Sequence, residues 1–308
     1  MSHFSGLTLR FWPAVLVVVA GLLLGATAPS LSAQKAGTHE RTLAIGKTKR
    51  QYILHVPRGY KKNSKKPLSL VLMLHGRGGN ARIAASRYYG WKKLADQERF
   101  IVAFPSALGS PTTWKSGWRG QATEDSKFLA ALIDALSKEL AVDKNRVYMS
   151  GHSSGGFMSY SFATTHSDRV AAIGPVAGLR IGKTVPKVPI SVISIHGIAD
   201  KVVAYDQANG KKAKYKGLTS AMESAAFIAK HNGCKKSKRQ DHAKGKVHID
   251  TWTKGKNGVE VKLYSIKNGD HSWPRQRSHS LAATKLIWNF FNSHPRRPQT
   301  KEKENPQD

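Results

Sequence analysis

The feature that most constrains this chain is a series of near-continuous apolar runs, each about as long as a strand. They lie at residues 70–74, 100–104, 147–149 and 190–195. Runs without polar alternation need cover on both faces, the situation of strands in a parallel sheet. Between the runs the spacing changes. Phe128, Leu129, Leu132, Ile133, Leu136 and Leu140 recur at i, i+1, i+4 and i+5, which predicts one apolar face on a helix over 124–141. Residues 218–231 and 278–292 show the same periodicity, the latter through Leu281, Leu286, Ile287, Phe290 and Phe291. Alternation over 42–57 predicts an antiparallel edge pair. Strands alternating with helices predict right-handed crossovers and a doubly wound, mostly parallel α/β sheet with helices on both faces. A single domain over 40–293 is expected.

The two ends read differently. Arg10 precedes an apolar run over 14–24, followed by small residues to Ala33. This is the pattern of a signal peptide over 1–33, cut after Ala33, and the run is short for a membrane span of ~20 residues. The expected product is secreted or periplasmic, with no membrane attachment once the signal is removed. At the other end, residues 294–308 are polar and contain proline, which predicts a disordered tail.

Charge and cysteine content exclude several classes. The chain carries 50 Lys+Arg against 19 Asp+Glu, a net charge of +31, of which residues 1–33 contribute only Arg10. Such basicity attracts polyanions, acidic polysaccharide among them. The lysines occur as small clusters, such as Lys61-Lys62, Lys211-Lys212 and Lys235-Lys236, without a nucleic-acid-binding motif. No specific nucleic-acid partner is therefore expected. One cysteine, Cys234, excludes an internal disulfide framework and a thiolate zinc finger.

In doubly wound sheets, sites form at the carboxyl ends of the strands. Run 147–149 leads into Gly151-His152-Ser153-Ser154-Gly155-Gly156, a G-x-S-x-G turn between strand and helix. The turn exposes Ser153 as a nucleophile, and the glycines let strand and helix approach closely. The Ser154 backbone N–H, at a helix N-terminus, is placed to stabilise an oxyanion. Run 70–74 leads into His75-Gly76-Arg77-Gly78-Gly79, a loop suited to supplying a second donor, assigned to the Arg77 N–H. A glycine-rich turn without a ligand explains the same residues; the Walker Gly-Lys-Ser/Thr ending is missing.

A hydroxyl needs a base and an orienting acid. His271 follows the strand candidate at 259–266 and is the expected base. Asp200 follows run 190–195 and is the expected acid, giving the chain order Ser153, Asp200, His271 found in α/β-hydrolases. Asp270 is the competing acid, but side chains of adjacent residues in an extended loop diverge. His75, His152 and His196 lack metal-ligand spacing, so no metal or other cofactor is expected. They read as loop-packing or substrate-side histidines. Trp114 and Trp118 either wall an acyl pocket or anchor their loop, while Trp118, His152 and Trp273 are the candidate substrate contacts.

These motifs, with His196-Gly197-x-x-Asp200-x-x-Val203-x-Tyr205 and Gly269-x-His271-x-Trp273-Pro274, resemble the secreted polyhydroxybutyrate depolymerase/feruloyl esterase family, related to family 1 carbohydrate esterases. The resemblance covers about 70–275. It implies an α/β-hydrolase fold, Ser153, Asp200 and His271 as a catalytic triad, and a polymeric ester substrate: feruloyl or acetyl esters of polysaccharide, or hydroxyalkanoate polyester. Two positions depart from the family pattern. Cys234 lacks the second cysteine that members often carry near Trp252, and Val203-Ala204-Tyr205 stands where Val-Pro-Tyr is usual. Two other readings are a prolyl-peptidase-like serine hydrolase, which would ordinarily bring an extra gating domain, and a non-catalytic basic polysaccharide-binding module on a hydrolase scaffold.

Overall fold

A computed structural model describes Met1 and residues 35–297, apart from 65, 118–120 and 207–218. Residues 2–33 of the expected signal peptide lie outside the described residues, as do Trp118 and the end of the expected tail, 298–308. Among the described residues, no helix is long and apolar enough to cross a membrane.

Among the described residues ten strands form one sheet: β1 (Gly37–Ile45), β2 (Thr48–Val56), β3 (Leu68–Leu74), β4 (Ile101–Pro105), β5 (Val142–His152), β6 (Ala172–Val176), β7 (Ser191–Gly197), β8 (Lys236–His242), β9 (Val247–Thr253) and β10 (Val261–Ile266). Their order is β1-β2-β4-β3-β5-β6-β7-β10-β9-β8. From β4 to β10 neighbours run parallel. At each end two antiparallel pairings complete the sheet. The helices are α1 (Ala81–Ala84), α2 (Trp91–Glu98), α3 (Glu124–Glu139), α4 (Ser154–Thr165), α5 (Ala221–His231), α6 (Gln276–His279) and α7 (Ala283–Ser293).

Each apolar run feeds two cores at once. Leu70, Leu72 and Leu74 of β3 join Phe128 and Leu132 of α3, Phe162 of α4 and Ile228 of α5. Val71 and Met73, pointing the other way, join Trp91 of α2 and Trp288 and Phe291 of α7. This period-two division is why the run needs no polar alternation. On the second face Trp288 stacks on Phe100 at 3.9 Å between centroids, and Phe291 on Tyr148 at 4.8 Å. Each such side chain, fully buried, stabilises the fold by about 1.5–3 kcal/mol.

Helix α3 starts where Thr123 and Ser126 cap each other reciprocally. It ends at Glu139, because Leu140 has already turned extended to lead into β5. The expected edge pair is β1 and β2, beginning at Gly37. Three strands lacked a readable signal. β6 (AIGPV) contains glycine and proline, yet Gly174 is required there: a Cβ would stand 2.7 Å from Ile287 Cγ2. β8 is exposed along its whole length and β9 only partly buried, so neither carries an apolar run.

The expected disordered tail needs correction at its start. Arg296 donates from Nη2 to the Ser167 and Val170 carbonyls at 2.7 Å each and from its backbone to Asn145 O at 2.8 Å. His294 Nε2 lies 3.1 Å from Glu260 Oε2. Residues 294–296 are thus held against the body by contacts to partners between 34 and 151 positions away in the chain, which local composition does not encode.

Candidate active site

The site begins with the backbone at Ser153. This residue follows β5 and caps α4 with φ 53° and ψ −117°, a conformation that L side chains rarely adopt. Its amide donates to Val176 O of the neighbouring strand at 2.9 Å. The flanking glycines permit the crossing: a Cβ on Gly155 would stand 2.5 Å from Leu74 O. Helix α4 therefore packs directly on the end of β3, and the Ser153 hydroxyl projects from the tip of the turn.

His271, in the loop after β10, brings Nε2 to 2.8 Å from Ser153 Oγ and Nδ1 to 2.7 Å from Asp200 Oδ2. An ionised carboxylate only accepts, so the proton sits on Nδ1 and the lone pair on Nε2 faces the hydroxyl. Asp200 has a fully buried side chain, while that of His271 is 17% exposed. Burial opposes the charge on Asp200, but hydrogen bonds from His196, His271 and the Val203 amide outweigh it and hold the carboxyl below its usual range. Oδ1 is engaged by the Val202 and Val203 amides at 2.8 Å each. His196 donates Nε2–H to Val203 O at 2.8 Å, fastening the same turn. Asp270 points elsewhere, accepting from Ser272 Oγ at 2.5 Å.

The loop after β3 lies beside this pair: a Cβ on Gly76 would be 3.5 Å from Ser153 Cβ. Within it, the Gly78 amide donates to Thr112 O at 2.7 Å and the Gly79 amide to Gly76 O at 3.0 Å. His75 braces the loop. Its Nδ1–H donates to Gly76 O at 2.7 Å, and its Nε2 accepts from the Ala107 amide at 3.0 Å. Burial lowers the pKa of His75, consistent with a neutral ring in this role. The Ser154 hydroxyl is likewise engaged, accepting from the Trp114 amide at 3.0 Å. It is therefore turned to the 113–114 loop, and Ser153 offers the hydroxyl that meets His271.

Two tryptophans have structural positions. Trp114 is 4% exposed and donates Nε1–H to His75 O at 2.9 Å, so it anchors its loop. Trp273, expected to touch substrate, is packed into the fold beside the triad. It is 1% exposed, donates Nε1–H to Thr284 Oγ1 at 3.0 Å, and packs edge-on against Tyr89 at 5.0 Å between centroids. The indole also meets the His152 ring edge-on at 6.3 Å between centroids. His152 lies between these rings and His271, its ring 5.3 Å from that of His271. Burial, reinforced by the neighbouring His271, lowers its pKa to about 4. Tyr89, whose hydroxyl lies 3.4 Å from His152 Nδ1, carried no sequence signal because its place depends on α2 packing beside the 273–276 loop.

Among the described residues no group of three or more His, Cys, Asp or Glu is arranged to hold a metal. Cys234 is a free, half-buried thiol whose pKa is raised by burial.

The chain is similar to several known proteins. The chain is 31% identical over 249 residues to a probable feruloyl esterase C of Aspergillus clavatus, covering 79% of this chain and 83% of that protein. It belongs to the feruloyl esterase family. Members of this α/β-hydrolase family are carboxylic ester hydrolases. A bifunctional acetylxylan esterase/xylanase of Neocallimastix patriciarum is 27% identical over 224 residues, 72% of this chain; the chain spans only 31% of that longer relative. An acetyl xylan esterase structure from Aspergillus awamori superposes with a TM-score of 0.64 at 15% identity, covering 83% of this chain and 99% of that one, a likeness of fold. Residues 88–180 also match the prolyl oligopeptidase family. That segment contains the Ser153 turn but neither Asp200 nor His271.

Proposed function

We propose that this feruloyl esterase family member cleaves feruloyl or acetyl esters carried on polysaccharide by a serine mechanism. The observation that carries the reading is the hydrogen-bonded chain from Ser153 Oγ through His271 to Asp200, at 2.8 and 2.7 Å. Ser153 attacks the ester carbonyl as His271 Nε2 takes its proton. The tetrahedral oxyanion meets the Ser154 and Arg77 amides. Support for Arg77 comes from its loop neighbours: the Gly78 and Gly79 amides are engaged within the fold, and among the described residues no acceptor is assigned to the Arg77 amide. Collapse of the intermediate expels the alcohol, protonated by His271, and water then hydrolyses the acyl-enzyme by the same sequence in reverse. Asp200 holds the His271 tautomer and stabilises the imidazolium that forms. The substrate assignment rests on the relatives, named as feruloyl and acetylxylan esterases. Export is inferred from the signal-like pattern over 1–33.

Hydrolysis of methyl ferulate and of acetylated xylan, with Ser153→Ala as the blank, tests this reading. Release that disappears in the variant is expected. Absence of release on both, with cleavage of hydroxybutyrate oligomers, would keep the mechanism and move the substrate. The match to the prolyl oligopeptidase family over 88–180 favours a second reading, a peptidase. Cleavage of an acyl-prolyl anilide with no ester turnover would establish it instead.

A further inference from the structure

Behind the Trp273 indole, next to the loop that bears His271, lies a cavity of about 380 Å³. Ligand sites are typically ~300–1,000 Å³. Its walls include Tyr88, Lys93, Gln97, Trp273, Arg275 and Gln276, and no carboxylate lines it. Lys93 and Gln97, four residues apart on α2, share one helix face. A third cation on the wall, Lys285, is neutralised by an ion pair with Glu98. Lys93 and Arg275 have no carboxylate partner among the described residues. The Arg275 guanidinium carbon lies 4.7 Å from the centroid of the Tyr88 ring, which is 39% exposed. The Tyr88 hydroxyl accepts from the Trp273 amide at 3.3 Å, tying this ring to a residue two positions beyond His271.

These groups make a specific chemical offer. Two exposed cations line the same cavity, and a guanidinium matches a carboxylate with two parallel hydrogen bonds. The two glutamines present both donors and acceptors, as sugar hydroxyls require. Tyr88 adds a flat, amphipathic surface. A neutral sugar would leave both cations unanswered, whereas a carboxylate-bearing sugar answers them together.

We propose that this cavity is an accessory subsite for a uronate residue of the polysaccharide whose ester is cleaved at Ser153. The proposal rests on the esterase reading for its purpose, though not for its binding chemistry. A substrate anchored here through a charged sugar is held beside the catalytic loop, so the subsite selects acidic polymers over neutral ones.

The test compares the wild type with Arg275→Gln/Lys93→Gln, and with Lys61→Gln/Lys236→Gln, which removes the same charge from exposed sites outside this cavity. Affinity electrophoresis through polygalacturonate, with neutral xylan as the control gel, reads binding. The cavity variant is expected to bind polygalacturonate about tenfold more weakly, the magnitude of one charge-assisted contact, while the other double variant migrates like the wild type. The ratio of kcat/KM on acetylated glucuronoxylan to kcat/KM on methyl ferulate should fall by a similar factor, through KM. Equal loss in both double variants, or none in the cavity variant, would overturn the proposal. If the wild type cleaves no ester, the esterase reading fails, and the gel comparison still decides the cavity.

Discussion

Gly197, closing β7, packs so tightly on Gly269 that a methyl group on Gly197 would stand 2.2 Å from the Gly269 carbonyl oxygen. Asp200 follows Gly197 by three residues and His271 follows Gly269 by two, so this backbone contact sets the spacing between Asp200 and His271. Gly197→Ala must push the 269–271 loop outward. Displacements near 1 Å at a reacting centre cost about 10²-fold in rate. We expect kcat on methyl ferulate to fall at least tenfold while KM changes little. Steady-state kinetics of a folded variant checks this; a wild-type kcat would show that the contact tolerates the methyl group.

The strained backbone at Ser153 predicts a conflict between stability and activity. Strain of this type costs about 1–3 kcal/mol, and glycine removes it at an entropic penalty of about 0.5–1 kcal/mol. Ser153→Gly should therefore be inactive yet more stable by about 1 kcal/mol. Thermal unfolding should register a rise of a few degrees in Tm, and a fall in Tm would refute the strain argument.

Two carboxylates stand near His271 in sequence or space, and of these Asp200 accepts from it while Asp270 accepts from Ser272. Asp200→Asn should lower kcat by about 10³–10⁴-fold, because an amide no longer fixes the tautomer. Asp270→Asn should stay within about threefold of wild type, since changes at an exposed side chain are normally small. The opposite ranking would reassign the acid.

His152 predicts acid sensitivity. Its folded pKa, about 4, lies below the value of ~6.5 expected in the unfolded chain. Between these values the unfolded state binds more protons, so stability is full above pH ~6.5 and is lost as pH falls toward 4. At about 1.4 kcal/mol per unit, the loss amounts to about 3.5 kcal/mol at most. Urea unfolding at pH 7 and at pH 4.5 should show a smaller acid loss in His152→Gln than in wild type. Equal losses would place the acid sensitivity elsewhere.

The legibility of the site differed from residue to residue. Ser153, Asp200 and His271 were readable because each follows an apolar strand, and strand ends in a doubly wound sheet converge on one edge whatever the loops do. The packing of Trp273 was not readable for the converse reason. Sequence puts it beside the base, but the direction of its side chain is set by Tyr89 and Thr284, which come from other elements. Asp270 shows the same limitation from the other side, being adjacent in the chain and directed away in space.

By itself the sequence determined the α/β class, the central parallel strands and the order of the chemical groups, because hydrophobic periodicity and turn chemistry are local. It also determined the surplus of cations. Only the tertiary structure decided β6, β8 and β9, which have no apolar run of their own and form by pairing with strands already in place. It alone decided that Arg296 docks on the 167–170 segment, and that Lys93 and Arg275, 182 positions apart in the chain, face one cavity. Such contacts depend on where the sheet and its covering helices bring distant residues together, information that no local window of the chain contains.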